Sequence, residues 1–401
     1  MKNLIMKTGS LLLSALVIAI IYSSCAKPSP ADTNSVYHNE LSKSLKNYEI
    51  FSLDFDAYYA IAKTKPTTPV TINLNIPGHP NWKFDMIDDD LKQYDEDGFQ
   101  MIEIGANDAQ IVIQENERFA LQGKLNKNNL KSFLTFSLGK MEGLVQDKGD
   151  EYWIQSLSNY VEDAPNDLYV IFNGKDEFVE GKLCGTDEQA VGGQGSGSTR
   201  AAPKKIYITY LGDYQFYQEF NNTTTASNWM YWRYYYANKR YNAYNAVPFI
   251  FTRRTGYLYS WSGSANYNPK TISNRQTFVD ECSDFYSYSW YNEGDVNYFF
   301  TGDQVEGVFG KADGISRMCS DPSQAFSFGE VGTRAANPTS NTYFGQNLMA
   351  HEVGHTVATG HDETSNNWMH TKHAQWNTSV GWQASSNFTD KYNNGSWCLG
   401  Y

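Results

Sequence analysis

Hydrophobic and polar residues follow two different periods in the first half of the chain. Between residues 66 and about 182, short segments alternate apolar and polar positions and are separated by Gly, Asn and Asp. Residues 70–74 and 109–113 are examples of this alternation, which is typical of half-buried β-strands. Residues 33–64 instead space their apolar side chains as a helix does. The pattern therefore predicts a helical start followed by a β-rich region. The apolar positions of the helical stretch include Leu41, Leu45, Tyr48, Phe51 and Phe55.

A second set of elements is predicted towards the C-terminus. Residues 205–211, KIYITYL, have the composition of a strand. The spacing of apolar residues then predicts helices over residues 213–222 and 226–245, and strands over 247–252 and 296–300. The second helix carries a dense aromatic stripe, which is more often core packed against a sheet than a ligand platform. We therefore expect this helix to lie in the core of a second domain.

A glycine-rich stretch separates the two regions. Residues 192–200 read GGQGSGSTR, a composition typical of a flexible linker. A chain of 401 residues has room for two or three domains, each able to bury its own core. We therefore expect a domain boundary at this stretch.

The N-terminus has the pattern of a targeting segment. Lys2 and Lys7 supply positive charge, and residues 11–21 form an apolar run that is short for a membrane span. Small residues then precede Cys25, as in a bacterial lipobox, so Cys25 would be lipidated after cleavage of a signal peptide over residues 1–24. An ordinary secretory signal that leaves Cys25 unmodified is the alternative. Both interpretations export the protein to an oxidising compartment.

The overall charge argues against one class of partner. The net charge is −12, and domains that bind nucleic acid carry a basic footprint. No nucleic-acid partner is therefore expected. Charged residues make up 19% of the chain, somewhat below the usual share, which argues against wholesale disorder.

The most informative motif is the run HEVGHTVATGH at residues 351–361. His351 and His355 are four residues apart, so on a helix they lie on one face and can share a metal ion. Glu352 follows the first histidine and can reach a water held at that ion. His361 can complete a three-histidine set only if the helix ends and the chain turns back. Three nitrogen ligands and one open position describe catalytic zinc, so the run predicts a zinc hydrolase.

The same run resembles the motif of the metzincin family of zinc endopeptidases. In that family HExxHxxGxxH is followed by a Met-turn, and Met369 lies eight residues after His361. Asp362, directly after the third histidine, is similar to the adamalysins and their ADAM relatives. Ala358 stands where the motif has glycine, which puts the path of the loop in question. Gly360, two residues on, is a candidate for the helix-ending turn.

This resemblance implies an α+β fold, with a metzincin catalytic domain over residues 201–401. Such a domain has a twisted mixed sheet, an active-site helix and the Met-turn. The resemblance implies Zn²⁺ as the cofactor, held by the three histidines, with Glu352 as general base and then general acid in peptide hydrolysis. Residues 307–314 would form the edge strand above the cleft and bind an extended peptide by strand addition.

A second motif lies just before the glycine-rich stretch. Residues 182–186 read KLCGT and resemble the cysteine switch of ADAM propeptides, in which a cysteine occupies the open position of the zinc. A thiolate is a strong zinc ligand, and its binding removes the catalytic water. Cys184 could instead belong to a disulfide, or Asp187 could be the blocking ligand. The resemblance implies that residues 25–200 form a β-rich inhibitory prodomain.

The glycine-rich stretch also resembles the activation junction of fragilysin-type bacterial metalloprotease toxins. Residues 198–208, STRAAPKKIYI, carry the match, and cleavage between Arg200 and Ala201 would leave a catalytic unit of 201 residues. The layout of signal, prodomain, single basic cleavage site and catalytic domain is similar too. It implies an activating protease, either trypsin-like or the protein itself. The precursor would be a lipoprotein of the bacterial outer membrane or cell surface, and cleavage would release the catalytic domain outside the cell.

These features predict an exported zinc metalloendopeptidase that is made as a zymogen and acts on proteins or peptides. One alternative is a lipid-anchored binding protein with a metzincin-like fold and a degenerate zinc site. Another is a glycan-binding protein with structural zinc. The sequence leaves open the natural substrate, the cleavage preference and the pairing among Cys282, Cys319 and Cys398. For these cysteines the adamalysin resemblance implies a disulfide between Cys319 and Cys398.

Overall fold

The chain forms two β-sheets and a small number of helices. The computed structural model describes residues 34–126, 131–177, 183–184, 186, 205–242, 250–262, 294–302, 308–313, 325–330, 342–357 and 361. Within these residues there are two eight-stranded sheets and five α-helices. This mixed architecture confirms the predicted α+β class. Residues up to 186 are called the N-terminal part below, and residues from 205 the C-terminal part.

The described residues contain sixteen strands, numbered in chain order. They are β1 (Glu49–Ser52), β2 (Val70–Ile72), β3 (Phe84–Asp88), β4 (Asp95–Ile104), β5 (Gln110–Val112), β6 (Phe119–Leu125), β7 (Lys131–Ser137), β8 (Lys140–Asp147), β9 (Asp150–Ser156), β10 (Leu168–Asn173), β11 (Leu183–Cys184), β12 (Lys205–Gly212), β13 (Ile250–Tyr259), β14 (Val296–Thr301), β15 (Val308–Ala312) and β16 (Phe326–Glu330). The helices are α1 (Asn34–Leu41), α2 (Phe55–Lys63), α3 (Tyr214–Phe220), α4 (Thr223–Asn242) and α5 (Thr342–Val357).

The first sheet is built only from the N-terminal part and is antiparallel throughout. Its order is β1-β10-β9-β8-β7-β6-β3-β2. Two-residue turns join β7 to β8 at Leu138-Gly139 and β8 to β9 at Lys148-Gly149. All four turn residues have positive φ, which is the conformation of type I′ hairpins and favours glycine at the second position. The alternating pattern of this region therefore predicted its strands correctly.

The predicted helix over residues 33–64 was wrong in its middle. The structure has α1 and α2 at the two ends of this stretch, with the strand β1 between them. Phe51 in β1 pairs with Tyr169 in β10 and is 2% exposed. A long-range strand pairing therefore outweighs the local helical spacing of the apolar residues.

The second sheet combines strands from both parts of the chain. Its order is β11-β15-β16-β14-β12-β13-β4-β5. The five strands of the C-terminal part lie together in the middle, and four of them are mutually parallel; β15 runs antiparallel to its neighbour β16. The N-terminal part supplies both outer ends. β11 pairs with β15 at one edge, and β4 pairs in parallel with β13 at the other. The N-terminal part therefore contributes strands to both sheets.

The aromatic helix α4 lies between the two sheets. Every residue from Ala226 to Tyr241 is buried. Tyr236 packs edge-on against Trp153 of the first sheet, with ring centroids 5.0 Å apart, and Tyr241 packs against Phe251 of the second sheet. One hydrophobic cluster thus includes side chains from both parts. A helix that is buried on all sides must be covered from two directions, and here the N-terminal part provides one of the covers.

Several residues named in the sequence analysis lie outside the described part of the chain. They are Cys25, Asp187, Arg200, Ala201, Cys282, Cys319, Ala358, Gly360, Asp362, Met369 and Cys398. Among the described helices, none is both long and apolar enough to cross a membrane.

Candidate active site

The helix α5 carries the first two histidines of the HExxH run. His351, Glu352 and His355 are each fully buried, because α5 packs against α4 on one side and β14, β15 and β16 on the other. The four-residue spacing brings the imidazoles together, with the Nε2 atoms of His351 and His355 3.1 Å apart. The helix ends at Val357. His361 then lies back against this pair, with its ring centroid 4.6 Å from that of His355.

A fourth donor comes from the N-terminal part. Cys184 lies beside the three histidines, and one donor atom from each of the four residues falls within 4.8 Å of all the others. The Cys184 Sγ is 3.6 Å from the His355 Nε2. Nitrogen and sulfur ligands of tetrahedral zinc, at about 2.0 and 2.3 Å from the metal, lie about 3.3 to 3.6 Å from each other. The closest separations in this cluster therefore suit a tetrahedral ion of that size, and the donor set of three imidazoles and one thiol is one that zinc accepts.

Cys184 reaches the histidines because β11 is added to the edge strand β15. Leu183 is in register with Val308 and Cys184 with Gly310, with an irregularity between the two pairs. The backbone N–H of Thr186 donates to the Cys184 Sγ at 3.3 Å, which orients the thiol from its own chain. The side chain of Cys184 is therefore placed by strand pairing with the C-terminal part and not by a disulfide; the structure has it as a free cysteine.

Thr186 is a site residue to which the sequence analysis gave no role. Its hydroxyl donates to the Glu352 Oε2 at 3.2 Å and accepts from the backbone N–H of Ala312 at 2.8 Å. One side chain therefore touches both the carboxylate beside the histidines and a backbone donor of the edge strand β15. The only sequence signal was a hydroxyl residue two positions after the cysteine, which is too common to single out.

The Glu352 carboxylate is enclosed on several sides. Its Oε2 accepts from Thr186 and lies 3.7 Å from the Cys184 Sγ, which donates to it. Burial raises the pKa of Glu352 to about 8, while hydrogen bonds from Cys184 and Thr186 oppose that rise. Burial, with a further contribution from the Glu352 charge, also raises the pKa of the Cys184 thiol. Both groups thus favour their protonated forms in these surroundings unless a cation is nearby.

Gly310 allows β15 to approach this carboxylate. A Cβ atom built at Gly310 would lie 2.8 Å from the Glu352 Oε1 and 2.7 Å from the Phe328 carbonyl oxygen. Real side chains do not tolerate such contacts, so glycine is required here for close packing of the edge strand on the helix. The sequence analysis placed Gly310 in the edge strand but did not connect it with Glu352.

Comparison with known proteins supports a metalloproteinase fold. The structure is similar to the crystal structure of metalloproteinase-II from Bacteroides fragilis, with a TM-score of 0.50 and 12% sequence identity. The match covers 87% of this chain and 97% of that chain, so it extends over both parts. No family model and no curated protein matches the sequence. At this identity the likeness establishes the fold, and the chemistry depends on the residues of the site.

Proposed function

We propose that the protein is a zinc-dependent metalloendopeptidase of the metzincin type, exported and made as a latent precursor. The observation that carries the proposal is the convergence of Cys184 with His351, His355 and His361 beside the buried Glu352. A thiol from one part of the chain completes a donor set whose other members all come from the other part. This is the arrangement expected of a hydrolytic metal site that is blocked by its own propeptide.

The three histidines would hold zinc in the active form, and Cys184 would be the fourth ligand in the latent form. Zinc at this position would supply a Lewis acid for the scissile carbonyl and lower the pKa of a water molecule. In the latent form Cys184 keeps that water away. Met369 is proposed to lie beneath the histidines as the Met-turn.

Glu352 is proposed to move the proton in the reaction. It would accept the proton of the attacking water and then pass it to the leaving amine of the cleaved peptide bond. Its carboxylate is next to the histidines in sequence and faces the Cys184 thiol, at the position that Cys184 blocks.

The edge strand β15 is proposed to bind the substrate. An extended peptide would add to this edge by main-chain hydrogen bonds, with pockets for its side chains. In the structure β11 occupies that edge, and Thr186 accepts the hydrogen bond of the Ala312 N–H. Protein or peptide substrates could therefore bind only after the segment carrying Cys184 has moved away.

Activation is proposed to begin with cleavage between Arg200 and Ala201, by a trypsin-like protease or by the protein itself. Before cleavage, a lipid on Cys25 would hold the precursor at the bacterial outer membrane or cell surface. Afterwards the catalytic domain would be released outside the cell. No step in this scheme involves nucleic acid.

The proposal is tested with the chain from residue 26 onward, digested with trypsin until the N-terminal part has been degraded. We expect cleavage of a quenched peptide library that a zinc chelator abolishes, together with one equivalent of bound zinc. The variant Glu352→Ala should keep the zinc and lose at least about a thousandfold in kcat, because the proton acceptor is gone. Glu219→Ala, at a half-buried carboxylate of α3 that is not a member of the cysteine–histidine cluster, serves as the matched control. Bound zinc without any cleavage by the wild type would instead favour the metzincin-like binding protein.

A further inference from the structure

The proposed cleavage site lies between residues 187 and 204, outside the described part of the chain. The contacts between the N-terminal and C-terminal parts are made by other residues, which the structure describes. The contact itself has three components: the helix α4 under the first sheet, a set of ion pairs, and the far edge of the second sheet, where β4 adds to β13. Each component joins residues on opposite sides of the Arg200-Ala201 bond. Cleavage of that bond leaves all three components intact.

The first component is the polar contact between α4 and the first sheet. The Trp232 Nε1 and the Asn228 Nδ2 both donate to the Ser137 Oγ, at 2.7 and 2.9 Å. The hydroxyls of Tyr236 and Thr135 are 3.0 Å apart. These atoms are buried, so separating the parts would leave polar groups of α4 to be satisfied by water alone. Aromatic side chains of α4 would become exposed with them.

The second component is a set of ion pairs between the two parts. Among the described residues, five cations of the C-terminal part pair with carboxylates of the N-terminal part. The pairs are Arg233–Glu142, Lys239–Asp89, Arg240–Glu151, Arg253 with Asp95 and Glu115, and Arg254–Glu96. Four of the five cations are no more than 2% exposed. While the two parts stay together, a cation that lost its carboxylate would be buried and unpaired, so the pairs fix how the two surfaces match.

The carboxyl groups of these ion pairs differ in pKa. Arg240 holds Glu151 with two hydrogen bonds of 2.7 and 2.9 Å, yet burial raises the pKa of Glu151 to about 7 despite the attraction of Arg240. Glu115 behaves in the opposite way, since Arg253 and Arg118 outweigh its burial and lower its pKa to about 2. Glu115 therefore keeps its charge well below neutral pH.

The third component is the parallel pairing of β4 with β13. It extends from Arg253 opposite Asp95 to Tyr259 opposite Ile104, with one irregularity after the first pair. Arg253 binds Asp95 with two hydrogen bonds, at 2.6 and 2.9 Å. Its guanidinium also lies 3.8 Å from the ring centroid of Phe99 in β4. Main-chain pairing, a bidentate ion pair and a cation–π contact therefore act on the same strand.

We infer that the surface formed by α4 and the outer edge of β13 binds the N-terminal part tightly enough to keep it in place after the linker is cut. The severed N-terminal part is then a non-covalent inhibitor of the C-terminal part, with Cys184 still at the histidines. Cleavage at Arg200 is therefore insufficient for activity, and a second event must destroy or unfold the N-terminal part. The interpretation of the cut as an activation step rests on the proposed function. The binding of the two parts to each other does not.

The binding is tested on the chain from residue 26 onward carrying Glu352→Ala, so that it cannot digest itself. The chain is cut with trace trypsin, the cut is located by mass spectrometry, and the product is diluted to nanomolar concentration for size-exclusion chromatography. We expect both fragments to elute together at the position of the uncut chain and to separate only in denaturant. Two separate peaks under native conditions would overturn the inference.

A matched pair of variants tests the far edge. Asp95→Asn removes one charge of the Arg253 contact, whereas Asp150→Asn removes a similarly exposed carboxylate that pairs with Lys175 inside the N-terminal part. We expect the cut Asp95→Asn protein to release its N-terminal fragment at least about tenfold faster than the cut Asp150→Asn protein. Equal release rates would contradict the role of this edge.

The wild-type protein separates this inference from the proposed function. After the single cut it should stay inactive, and peptide cleavage should appear only as the N-terminal fragment is digested further. Full activity directly after the single cut would overturn the inference and leave the protease proposal intact. Fragments that stay together, with no activity even after the N-terminal fragment is destroyed, would instead support the binding surface and contradict the protease proposal.

Discussion

The two edges of the second sheet are both occupied by the N-terminal part, but in very different ways. At the edge beside the histidines, β11 contributes two residues, Leu183 and Cys184, and an irregular pairing with β15. At the far edge six of the ten residues of β4 pair with β13, and the cation of the Arg253–Asp95 ion pair is fully buried. The first edge contacts Glu352 and the histidines through a short pairing, while the second is held through a longer pairing away from them. Under the proposed function, inhibition and attachment are therefore separate properties of the N-terminal part.

The largest expected effect comes from breaking the far edge. Arg253→Met leaves Asp95 and Glu115 without their buried cation, so we expect a loss of about 3–5 kcal/mol in the free energy of unfolding. The uncut variant should remain latent, because β11 and Cys184 are unchanged. Denaturant unfolding and a peptide-cleavage assay measure the two properties on the same sample.

The neighbouring arginine provides the control for this prediction. Arg254 pairs with Glu96, but its side chain is 39% exposed. Arg254→Met should therefore change the free energy of unfolding by no more than about 1 kcal/mol. If the two variants were equally stable, burial of the Arg253 pair would not be what holds β4 to the sheet.

The second prediction breaks the edge beside the histidines. Cys184→Ala removes the thiol that fastens β11 at the histidines, so β11 should leave the β15 edge more readily and admit both water and substrate, while the far edge and α4 still hold the two parts together. In a chain whose linker is made uncleavable by Arg200→Ala, we expect peptide cleavage to rise at least about a hundredfold, because the open ligand position becomes accessible to water. Stability in denaturant should change little. An inactive Cys184→Ala precursor that binds zinc normally would count against Cys184 as the inhibitory ligand.

The arrangement of the two histidines on α5 could be predicted from the sequence. The position of Cys184 beside them could be predicted only in outline. The spacing of His351 and His355 determines their geometry as soon as a helix forms, because four residues make about one turn. The proximity of Cys184 depends on the pairing of β11 with β15, in which Cys184 lies opposite Gly310, 126 residues later, and only a resemblance of motif indicated it. Thr186 and Gly310 could not be identified, since their importance lies in contacts with Glu352 that no periodicity encodes.

The same limit explains why the second sheet was not predicted in full. The alternating pattern of residues 66–182 predicts strands, but β4 has no feature in that pattern that separates it from the strands of the first sheet. Its partner β13 lies about 150 residues later in the chain. The adjacent acids at Asp95 and Glu96 and the adjacent arginines at Arg253 and Arg254 are complementary. That correspondence becomes informative only once the strands are known to be neighbours.

The third prediction uses pH to test the far edge. Attraction by Arg253 and Arg118 outweighs desolvation and lowers the pKa of Glu115 to about 2, below the ordinary value of 4.5. A carboxyl group with a lowered pKa stabilises the fold above its ordinary pKa, and the contribution disappears as the pH falls towards the folded-state pKa. Glu115→Gln should therefore cost about 1–2 kcal/mol at pH 7, since part of the attraction comes from Arg118 within the same part.

The measurement is the difference in unfolding free energy between wild type and Glu115→Gln at pH 7, 4.5 and 3. We expect the difference to be constant from pH 7 to about 5 and to shrink as the pH falls towards 3. Glu117→Gln, at an exposed neighbouring carboxylate, should show no such trend. A difference that grew in acid would mean that Glu115 is not stabilised by the arginines.

The smallest expected effect concerns Thr186, and it tests whether the edge beside the histidines inhibits through one residue or two. Thr186→Val keeps the shape of the side chain but removes both the donor to Glu352 and the acceptor for the Ala312 N–H. Each hydrogen bond is worth about 1 kcal/mol, so the loss of both should raise peptide cleavage by the uncut variant about thirtyfold over the wild type. Thr186→Ser restores the hydroxyl and should restore latency. If the valine and serine variants leaked equally, the strand would depend on side-chain packing, and Cys184 alone would block the site.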